Sequence, residues 1–270
     1  MPKDYHEVHK ITDIKDEAKD VKTFRLDKSI NAIPGEFVMC WIPDVSEKPF
    51  SVSDNSPLSI TAKKVGGEDS FTSRLFRLKT GENLWIRGPC GRGFPNYPVG
   101  VGFYHKDIYL IAGGTGAIPL AFSSIVRSKS GFPPTVLLGA RTKDEIIFEE
   151  KFRNSSKQLF ISTDDGSYGY KGMVTDLFDQ VKIKSNSLFC ICGPEKMMEV
   201  AAKKALKYTD ADSILLSLER YMKCGTGKLG CCEINGYRVC ADGPVFPYSQ
   251  IRGGDFGKYH RTKSGLRVEL

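Results

Sequence analysis

The chain has 270 residues and a formal net charge of +7 at pH 7, and 40% of its residues are hydrophobic and 26% charged. Lysines and arginines occur without an aromatic-flanked basic stripe, which argues against nucleic-acid binding. No apolar run approaches the ~20 residues that span a bilayer, and the N-terminus lacks the apolar core of a signal peptide, so we expect a cytoplasmic protein. In that reducing compartment the eight cysteines are better explained as metal ligands and buried thiols than as disulfides.

The first hundred residues predict a small β-barrel. Residues 21–26 and 58–63 alternate in the manner of half-buried strands, and residues 37–42 are rich in β-forming side chains. Turn-forming Pro, Gly, Asn and Asp residues separate these runs. Short strands at this spacing favour a barrel. One helix over residues 72–78, ended by Gly81, is predicted to interrupt it.

From about residue 106 the pattern changes to strands that alternate with helices. Residues 108–112 form an apolar run, and an apolar helix is predicted over residues 118–126. Further strand-like runs are residues 135–139, 159–163 and 188–192. This alternation predicts a parallel α/β sheet, and we place the domain boundary within residues 100–106.

Two predicted strand-to-helix turns carry candidate nucleotide-binding residues. In the first, glycines let a phosphate approach the unpaired N–H groups at a helix N-terminus. In an open parallel sheet, ligands bind beyond the carboxyl ends of the strands, where both turns would lie. The candidates are Gly113, Gly114, Thr115 and Gly116 in the first turn, and Cys192, Gly193 and Pro194 in the second. The structural alternative is a tight connection for the glycines and a buried strand-end thiol for Cys192.

A second group of candidates follows the strand at residues 37–42. Lys48 is suited to pair with a phosphate, Phe50 to pack on a flat ring, and Ser51 to offer its hydroxyl or backbone to the polar edge of that ring. Thr72, at the expected N-cap of the interrupting helix, presents the same phosphate-friendly geometry as the glycine turn. The alternative is that Lys48 is solvated, Phe50 belongs to the core and Thr72 is only a cap.

Four cysteines, Cys224, Cys231, Cys232 and Cys240, crowd into the last fifth of the chain with glycines between them. Small glycines let the backbone fold tightly around a metal centre and aim amide N–H groups at sulfur, as iron–sulfur clusters require. The sequence therefore predicts these four thiols as cluster ligands. The competing interpretation is a structural zinc site in a binding module, but zinc sites favour Cys-x2-Cys pairs, which are absent.

From about residue 21 to the C-terminus, the sequence resembles the ferredoxin-reductase-like flavoprotein superfamily, and within it the electron-transfer subunits of dihydroorotate dehydrogenase type B. The Arg-Pro-x-Ser flavin motif of the family is matched by Lys48, Pro49, Phe50 and Ser51. Other family motifs match residues 88–94, 113–119, 139–145, 163–167, 192–194, 219–225 and 239–246.

The resemblance implies an α/β plus all-β architecture with three parts. These are a six-stranded antiparallel FAD-binding barrel over residues 1–103, a parallel-sheet NAD(H)-binding domain over 104–214, and a small iron–sulfur lobe with the C-terminal tail over 215–270. In such proteins Ser51 would bond the reactive edge of the flavin, Lys48 and Thr72 its pyrophosphate, and the first glycine turn the NAD phosphates. Gly66 is a further candidate for cofactor binding.

The implied activity is that of an oxidoreductase subunit whose cofactors are FAD, a [2Fe–2S] cluster and NAD(H), with no catalytic side chain assigned. The implied partner is an FMN-containing dihydroorotate dehydrogenase subunit of pyrimidine biosynthesis, in a heterotetramer. From the dispersed basic residues and the short apolar runs, we expect no nucleic-acid or membrane partner.

Two positions depart from the family pattern. The family has Cys-x4-Cys-x2-Cys and then a fourth cysteine, so aligning Cys224 with the first and Cys232 with the third places Leu229 at the second. Either Cys231, two residues along, replaces it, or the cluster is altered or missing. Lys48 stands in place of arginine, which keeps the charge but gives up the planar bidentate fork.

Two further alternatives stay open within the superfamily. Similar subunits serve sulfhydrogenases, anaerobic sulfite reductases and ferredoxin:NADP oxidoreductases, although the tail at residues 254–265 favours the dihydroorotate dehydrogenase partner. The other alternative is a standalone NADH-dependent flavin reductase in which the cysteines are vestigial.

Overall fold

The computed structural model describes residues 5–95, 107–262 and 266–269. The predicted domain boundary at residues 103/104 lies outside these residues. Within the same three ranges, no helix combines the length and the apolar character needed to cross a membrane.

Six antiparallel strands close into a barrel with the neighbour order β1-β2-β5-β4-β3-β6, which confirms the predicted six-stranded barrel. The strands are β1 (Glu7–Ala18), β2 (Val21–Leu26), β3 (Phe37–Ile42), β4 (Ser46–Asn55), β5 (Leu58–Lys63) and β6 (Asn83–Cys90). Phe24, Leu26, Val38 and Ile60 are fully buried and belong to one core inside it. Apolar side chains at alternate strand positions supply that core, because successive side chains of a strand point to opposite faces.

Helix α1 (Phe71–Arg77) lies between β5 and β6, where the sequence predicts a helix. Its N-cap is Ser70, whose hydroxyl accepts a hydrogen bond from the Ser73 N–H at 3.2 Å. The expected N-cap at Thr72 is therefore wrong: the Thr72 hydroxyl accepts from the Val65 N–H at 2.9 Å and donates to the Val65 carbonyl at 2.8 Å. The helix also ends before Gly81, with Leu78 as its C-cap.

The rest of the chain alternates strands and helices and includes two small two-stranded sheets, β13-β14 and β16-β17. The strands are β7 (Ile108–Gly113), β8 (Thr135–Ala140), β9 (Gln158–Thr163), β10 (Tyr170–Lys171), β11 (Leu188–Cys192), β12 (Ile214–Ser217), β13 (Glu233–Ile234), β14 (Tyr237–Arg238), β15 (Val245–Pro247), β16 (Tyr259–Arg261) and β17 (Arg267–Glu269). The helices are α2 (Ala117–Lys129), α3 (Glu149–Ser155), α4 (Glu195–Ala205), α5 (Val239–Asp242) and α6 (Tyr248–Ile251), with 3-10 turns at Gly114–Gly116, Lys143–Glu145, Val174–Asp179 and Ala211–Ser213.

Seven of these strands form one sheet in the order β10-β9-β8-β7-β11-β12-β15. All neighbouring pairs are parallel except the last, in which β15 runs antiparallel to β12. The predicted parallel α/β sheet is therefore confirmed. Every residue of β7 and β11 is buried, as expected for central strands of a parallel sheet covered on both faces.

The four clustered cysteines lie in the segment between β12 and β15, two neighbouring strands of the sheet. The predicted division at residues 214/215 falls inside β12. We therefore keep the three-part division as a proposal, in which the cysteine lobe is an insertion between the last two strands of the sheet.

The barrel packs against both the sheet and the cysteine lobe. Phe122 of α2 belongs to the barrel core, and Val126 packs against it. On the other side, Met39 and Cys90 of the barrel share a core with Cys232 and Cys240. The lobe is thus held directly on the barrel.

Phe189 is expected to be a principal source of stability in the sheet. Its fully buried ring stacks between Tyr109 and Phe178, with centroid separations of 5.3 and 6.0 Å. Phe189→Ala should lower the free energy of unfolding by about 3–5 kcal/mol, because it leaves a cavity in a packed core. Phe132, which is 37% exposed, is the control, and its replacement by Ala should cost less than about 1 kcal/mol. Equal losses in chemical denaturation would contradict this expectation.

Candidate functional site

A cavity of about 700 Å³ lies where the barrel meets the carboxyl ends of the parallel strands. Its walls include residues from β5, from the turns after β7, β8 and β11, and from the segment after β12. Among them are Lys63, Gly113, Gly114, Thr115, Arg141, Gly193, Pro194, Glu219, Arg220 and Tyr221. This edge of an open parallel sheet is where ligands of such folds bind. Five of the seven residues predicted in the two glycine turns therefore face one cavity.

The other two predicted residues, Gly116 and Cys192, hold the turns together. A Cβ atom on Gly116 would overlap the backbone carbonyl of Cys192, so only glycine allows this approach. Gly114 has a φ of +53°, a left-handed conformation that glycine adopts without strain, and the space around it is open. The backbone of residues 113–115 thus lies open to the cavity immediately before α2, which suits a phosphate.

The Cys192 thiol forms part of the support behind the cavity. It is buried and donates a hydrogen bond to the Ser217 carbonyl at 3.6 Å. Burial raises the pKa of this thiol, and the nearby Glu219 carboxylate raises it further. Cys192 is therefore a neutral thiol at neutral pH.

The predicted flavin motif, residues 48–51, lies on β4 beside the cavity, and we call it the β4 motif. The Phe50 ring lies 5.7 Å from the ring of Phe71 at the start of α1, and the Lys48 ammonium lies 5.6 Å from the ring centroid of Tyr221. Because Tyr221 lines the cavity, the β4 motif reaches its rim through this aromatic ring. Pro49 and Ser51 lie on the same strand, paired with Met39 and Phe37 of β3.

Gly66 and Thr72 lie away from the main cavity. Gly66 lines a smaller concavity of about 450 Å³ together with the cationic side chains of Lys22, Lys64 and Arg77. These three positive charges outnumber the one carboxylate on the same wall, that of Glu68, so the surface is favourable for a phosphate group. The Thr72 hydroxyl, in contrast, is engaged with the backbone of Val65.

The thiols of the lobe lie among backbone N–H groups. Although burial raises the pKa of Cys224, the amides of Thr226, Leu229 and Lys228 more than offset it and lower the pKa to about 7. The Cys240 thiol donates to Cys232, which lowers the pKa of Cys232 to about 6 and raises that of Cys240.

Two backbone hydrogen bonds belong to the same thiol environment. The Cys240 N–H donates to the Cys232 sulfur at 3.4 Å, and the Gly227 N–H donates to the Cys240 sulfur at 3.2 Å. Amides directed at thiolate sulfur stabilise the negative charge of an iron–sulfur centre and tune its potential. The donor chemistry of Cys224, Cys232 and Cys240 therefore fits such a group.

The fourth ligand position is the one that the sequence leaves open. The Leu229 side chain is 62% exposed, and Cys231 is half-buried. In the described part of the chain, no three His, Cys, Asp or Glu side chains are already arranged around a single point as metal ligands. Binding a cluster through these cysteines therefore requires their thiols to lie closer to one another than they do here.

Sequence reasoning missed the contribution of the segment after β12. Glu219, Arg220 and Tyr221 line the cavity, although the motif that contains them was assigned no role beyond its cysteine. The Glu219 side chain is open to the cavity, and desolvation by the surrounding protein raises the pKa of its carboxyl group. Their place in the sequence could have indicated this role, because these residues directly follow a buried strand of the parallel sheet, where ligands bind.

Arg220 and the C-terminal segment are held by one carboxylate at the start of α4. Glu195 forms a buried ion pair with Arg220 and also accepts a hydrogen bond from the Gly257 N–H at 2.7 Å. Arg261 of β16 reaches the cavity wall and pairs with Glu233 at 3.8 Å. The C-terminal segment thus reaches the cavity through Arg261.

Two domain families match the chain. The family described as the oxidoreductase NAD-binding domain matches residues 110–203, and the iron–sulfur cluster binding domain of dihydroorotate dehydrogenase B matches residues 219–252. A solved structure described as an NADH-dependent reduced ferredoxin-NADP oxidoreductase superposes with a TM-score of 0.77 and 28% identity, covering 91% of this chain and 90% of that one. Fold and site together define an oxidoreductase subunit of the ferredoxin-reductase-like class.

Curated relatives define the family more closely. The probable dihydroorotate dehydrogenase B (NAD(+)) electron transfer subunit of Pyrococcus furiosus is 41% identical over 249 residues, which cover 92% of this chain and 93% of that protein. The protein of the same description from Methanocaldococcus jannaschii is 40% identical over 263 residues, or 96% of each chain. The chain belongs to the family of dihydroorotate dehydrogenase B electron transfer subunits.

Gly116→Ala tests the contact between the two glycine turns. The added Cβ would force the first turn away from Cys192 and misalign the amides of α2, so we expect NAD(H) to bind at least about tenfold more weakly. Gly67→Ala is the control, because a Cβ at Gly67 meets nothing within 4 Å. Isothermal titration with NADH measures both variants. Wild-type affinity in Gly116→Ala would show that the contact is dispensable.

Proposed function

We propose that this chain is the electron-transfer subunit of a dihydroorotate dehydrogenase B complex and connects NAD(H) with a catalytic partner subunit through FAD and a [2Fe–2S] cluster. The observation that carries the proposal is spatial. The glycine turns and Tyr221 line one cavity, Lys48 of the β4 motif lies over the Tyr221 ring, and the cysteine lobe shares a core with the barrel and the sheet.

The dinucleotide is assigned to the cavity at the sheet edge. Gly113, Gly114, Thr115 and Gly116 would hold its phosphates with the amides at the start of α2, and Gly193 and Pro194 line the cavity directly beside them. Cys192 supports this side of the cavity as a neutral thiol. Glu219 and Tyr221 would border the reacting end of the cavity, where it approaches the barrel.

The flavin is assigned to the barrel surface that carries the β4 motif. When bound, a flavin supplies the exchange between two-electron hydride chemistry and one-electron chemistry. Phe50 and Pro49 would support the ring, Ser51 would bond its polar edge, and Lys48 would neutralise phosphate charge. Gly66 and the cations beside it offer a second phosphate-binding surface, to which Thr72 contributes by holding the preceding loop.

The partner and the location in the cell follow from the same assignment. We infer a heterotetramer with an FMN-containing dihydroorotate dehydrogenase subunit in pyrimidine biosynthesis. No disulfide bond joins any of the eight cysteines, which supports a reducing, cytoplasmic setting. The similarity to the ferredoxin-NADP oxidoreductase structure supports a second candidate, in which the same subunit serves a ferredoxin-linked partner.

Anaerobic purification with quantitation of flavin, iron and acid-labile sulfide tests the proposal. We expect FAD, two irons and two sulfides per chain. The chain mixed with a dihydroorotate dehydrogenase catalytic subunit should reduce NAD⁺ with dihydroorotate, and neither protein alone should do so. Transfer to ferredoxin without any coupling to dihydroorotate would favour the second candidate. Material with neither flavin nor iron would refute both.

Cys231 is proposed as the fourth ligand, together with Cys224, Cys232 and Cys240. Cys231→Ser should therefore lower the iron content while the flavin content stays unchanged. Adding Leu229→Cys to that variant recreates the Cys-x4-Cys-x2-Cys spacing of the family and should restore iron. Cys190→Ser, in the core of the sheet, is the control for a general effect of losing a thiol. Full iron in Cys231→Ser would show that this thiol is not a ligand.

A further inference from the structure

Two arginines contact the outer side of the loop that carries Cys224. Arg87 of β6 donates from Nη1 to the backbone carbonyl of Cys224 at 3.0 Å. Arg238 of β14 donates from Nη1 to the backbone carbonyl of Gly227 at 3.2 Å. The amides of the same loop face the opposite way, toward the thiols.

Each arginine is itself held by a carboxylate. Arg87, with a side chain only 8% exposed, forms three hydrogen bonds of 2.9–3.2 Å with Glu47, which also contacts His6 at 2.8 Å. Arg238 pairs with Asp242 at 3.3 Å on the solvent side of the lobe. Planar guanidinium groups fixed in this manner are rigid donors, because their fork geometry matches the carboxylate.

The direction of the peptide units connects these contacts to the thiols. The Gly227 carbonyl that receives Arg238 belongs to the same peptide group as the Lys228 N–H, one of the amides that face the Cys224 sulfur. A cation on the carbonyl side polarises a peptide and strengthens the hydrogen bond made by its N–H. The two arginines therefore hold the carbonyl groups of the loop on one side, and the thiol sulfurs accept hydrogen bonds from its N–H groups on the other.

Arg87 also connects the loop that carries Cys224 to the β4 motif. Its carboxylate partner Glu47 is the residue directly before Lys48 in the proposed flavin motif. Its other partner is the first proposed cluster ligand. One buried side chain thus joins the strand that would carry the flavin to the loop that would carry the cluster.

We propose that Arg87 and Arg238 are positioning residues of the cluster loop: each holds a backbone carbonyl of residues 224–227 and thereby directs the loop amides at the ligand thiols. Arg87 sets the position of the loop on the barrel, and Arg238 sets the strength of the amide–sulfur contacts. This inference rests on the proposed function, since it concerns the iron–sulfur site.

Arg238→Met is the principal test, because this side chain is half exposed and its loss is compatible with folding. Weaker amide–sulfur hydrogen bonds and the loss of a nearby positive charge both disfavour the reduced, more negative cluster. The ratio of reduced to oxidised cluster at a fixed potential should fall by about tenfold, as expected for one charge-assisted hydrogen bond. Arg238→Lys should recover part of this loss because it keeps the charge.

Arg87→Met should lower the iron content per chain and alter the paramagnetic resonance spectrum of the dithionite-reduced protein. The control is Arg153→Met, which breaks a comparable arginine–carboxylate pair with Glu149 on the exposed helix α3. It should leave the cluster spectrum, its midpoint potential and the iron content at wild-type values.

Dye-mediated redox titration of the anaerobically purified variants provides the measurement, with the flavin of each sample as the internal reference. A negative shift in Arg238→Met alone supports the proposal even where Arg87→Met does not fold. A wild-type midpoint potential and spectrum in Arg238→Met, at full iron content, would overturn it while the proposed function stands. Wild-type protein without iron would overturn both.

Discussion

The packing of the cysteine loop against the barrel is the constraint on which the rest of the structure depends. Gly225, with a φ of +66°, lies so close to Met39 that a Cβ atom would come within 2.8 Å of its side chain. Cys90 of the barrel lies beside the same glycine, and Arg87 bonds the carbonyl of Cys224. These contacts hold the Cys224 end of the loop next to β3 and its partner β4, the strand that carries the predicted flavin motif.

The cavity and the cysteine lobe are two parts of one arrangement. The segment after β12 first lines the cavity with Glu219 and Tyr221 and then enters the loop of Cys224 within three residues. Lys48 of the barrel faces Tyr221, so the barrel, the sheet and the lobe meet at this short segment.

Much of the fold could be predicted because local patterns agree with the tertiary structure. The predicted strands 21–26, 37–42 and 58–63 match β2, β3 and β5, and the alternation after residue 106 matches a parallel sheet. The predicted N-cap of α1, Thr72, was wrong because Ser70 and Thr72 are both good capping residues. Only the path of the chain near Val65, whose backbone engages the Thr72 hydroxyl, decides between them. The role of Arg220 was not visible either, since its partner Glu195 is 25 residues away.

By itself the sequence determined the identities and spacings of the chemical groups: the glycine turns, the β4 motif, the four clustered thiols and the leucine at position 229. Local periodicity and residue type are sufficient for these, because they act over a few neighbouring residues. Only the tertiary structure decided which groups share a cavity, which carbonyls of the cysteine loop meet Arg87 and Arg238, and that β15 returns to the sheet beyond the lobe. Those contacts join residues far apart in the chain, and they form only when burial of the shared core brings the barrel, the sheet and the lobe together.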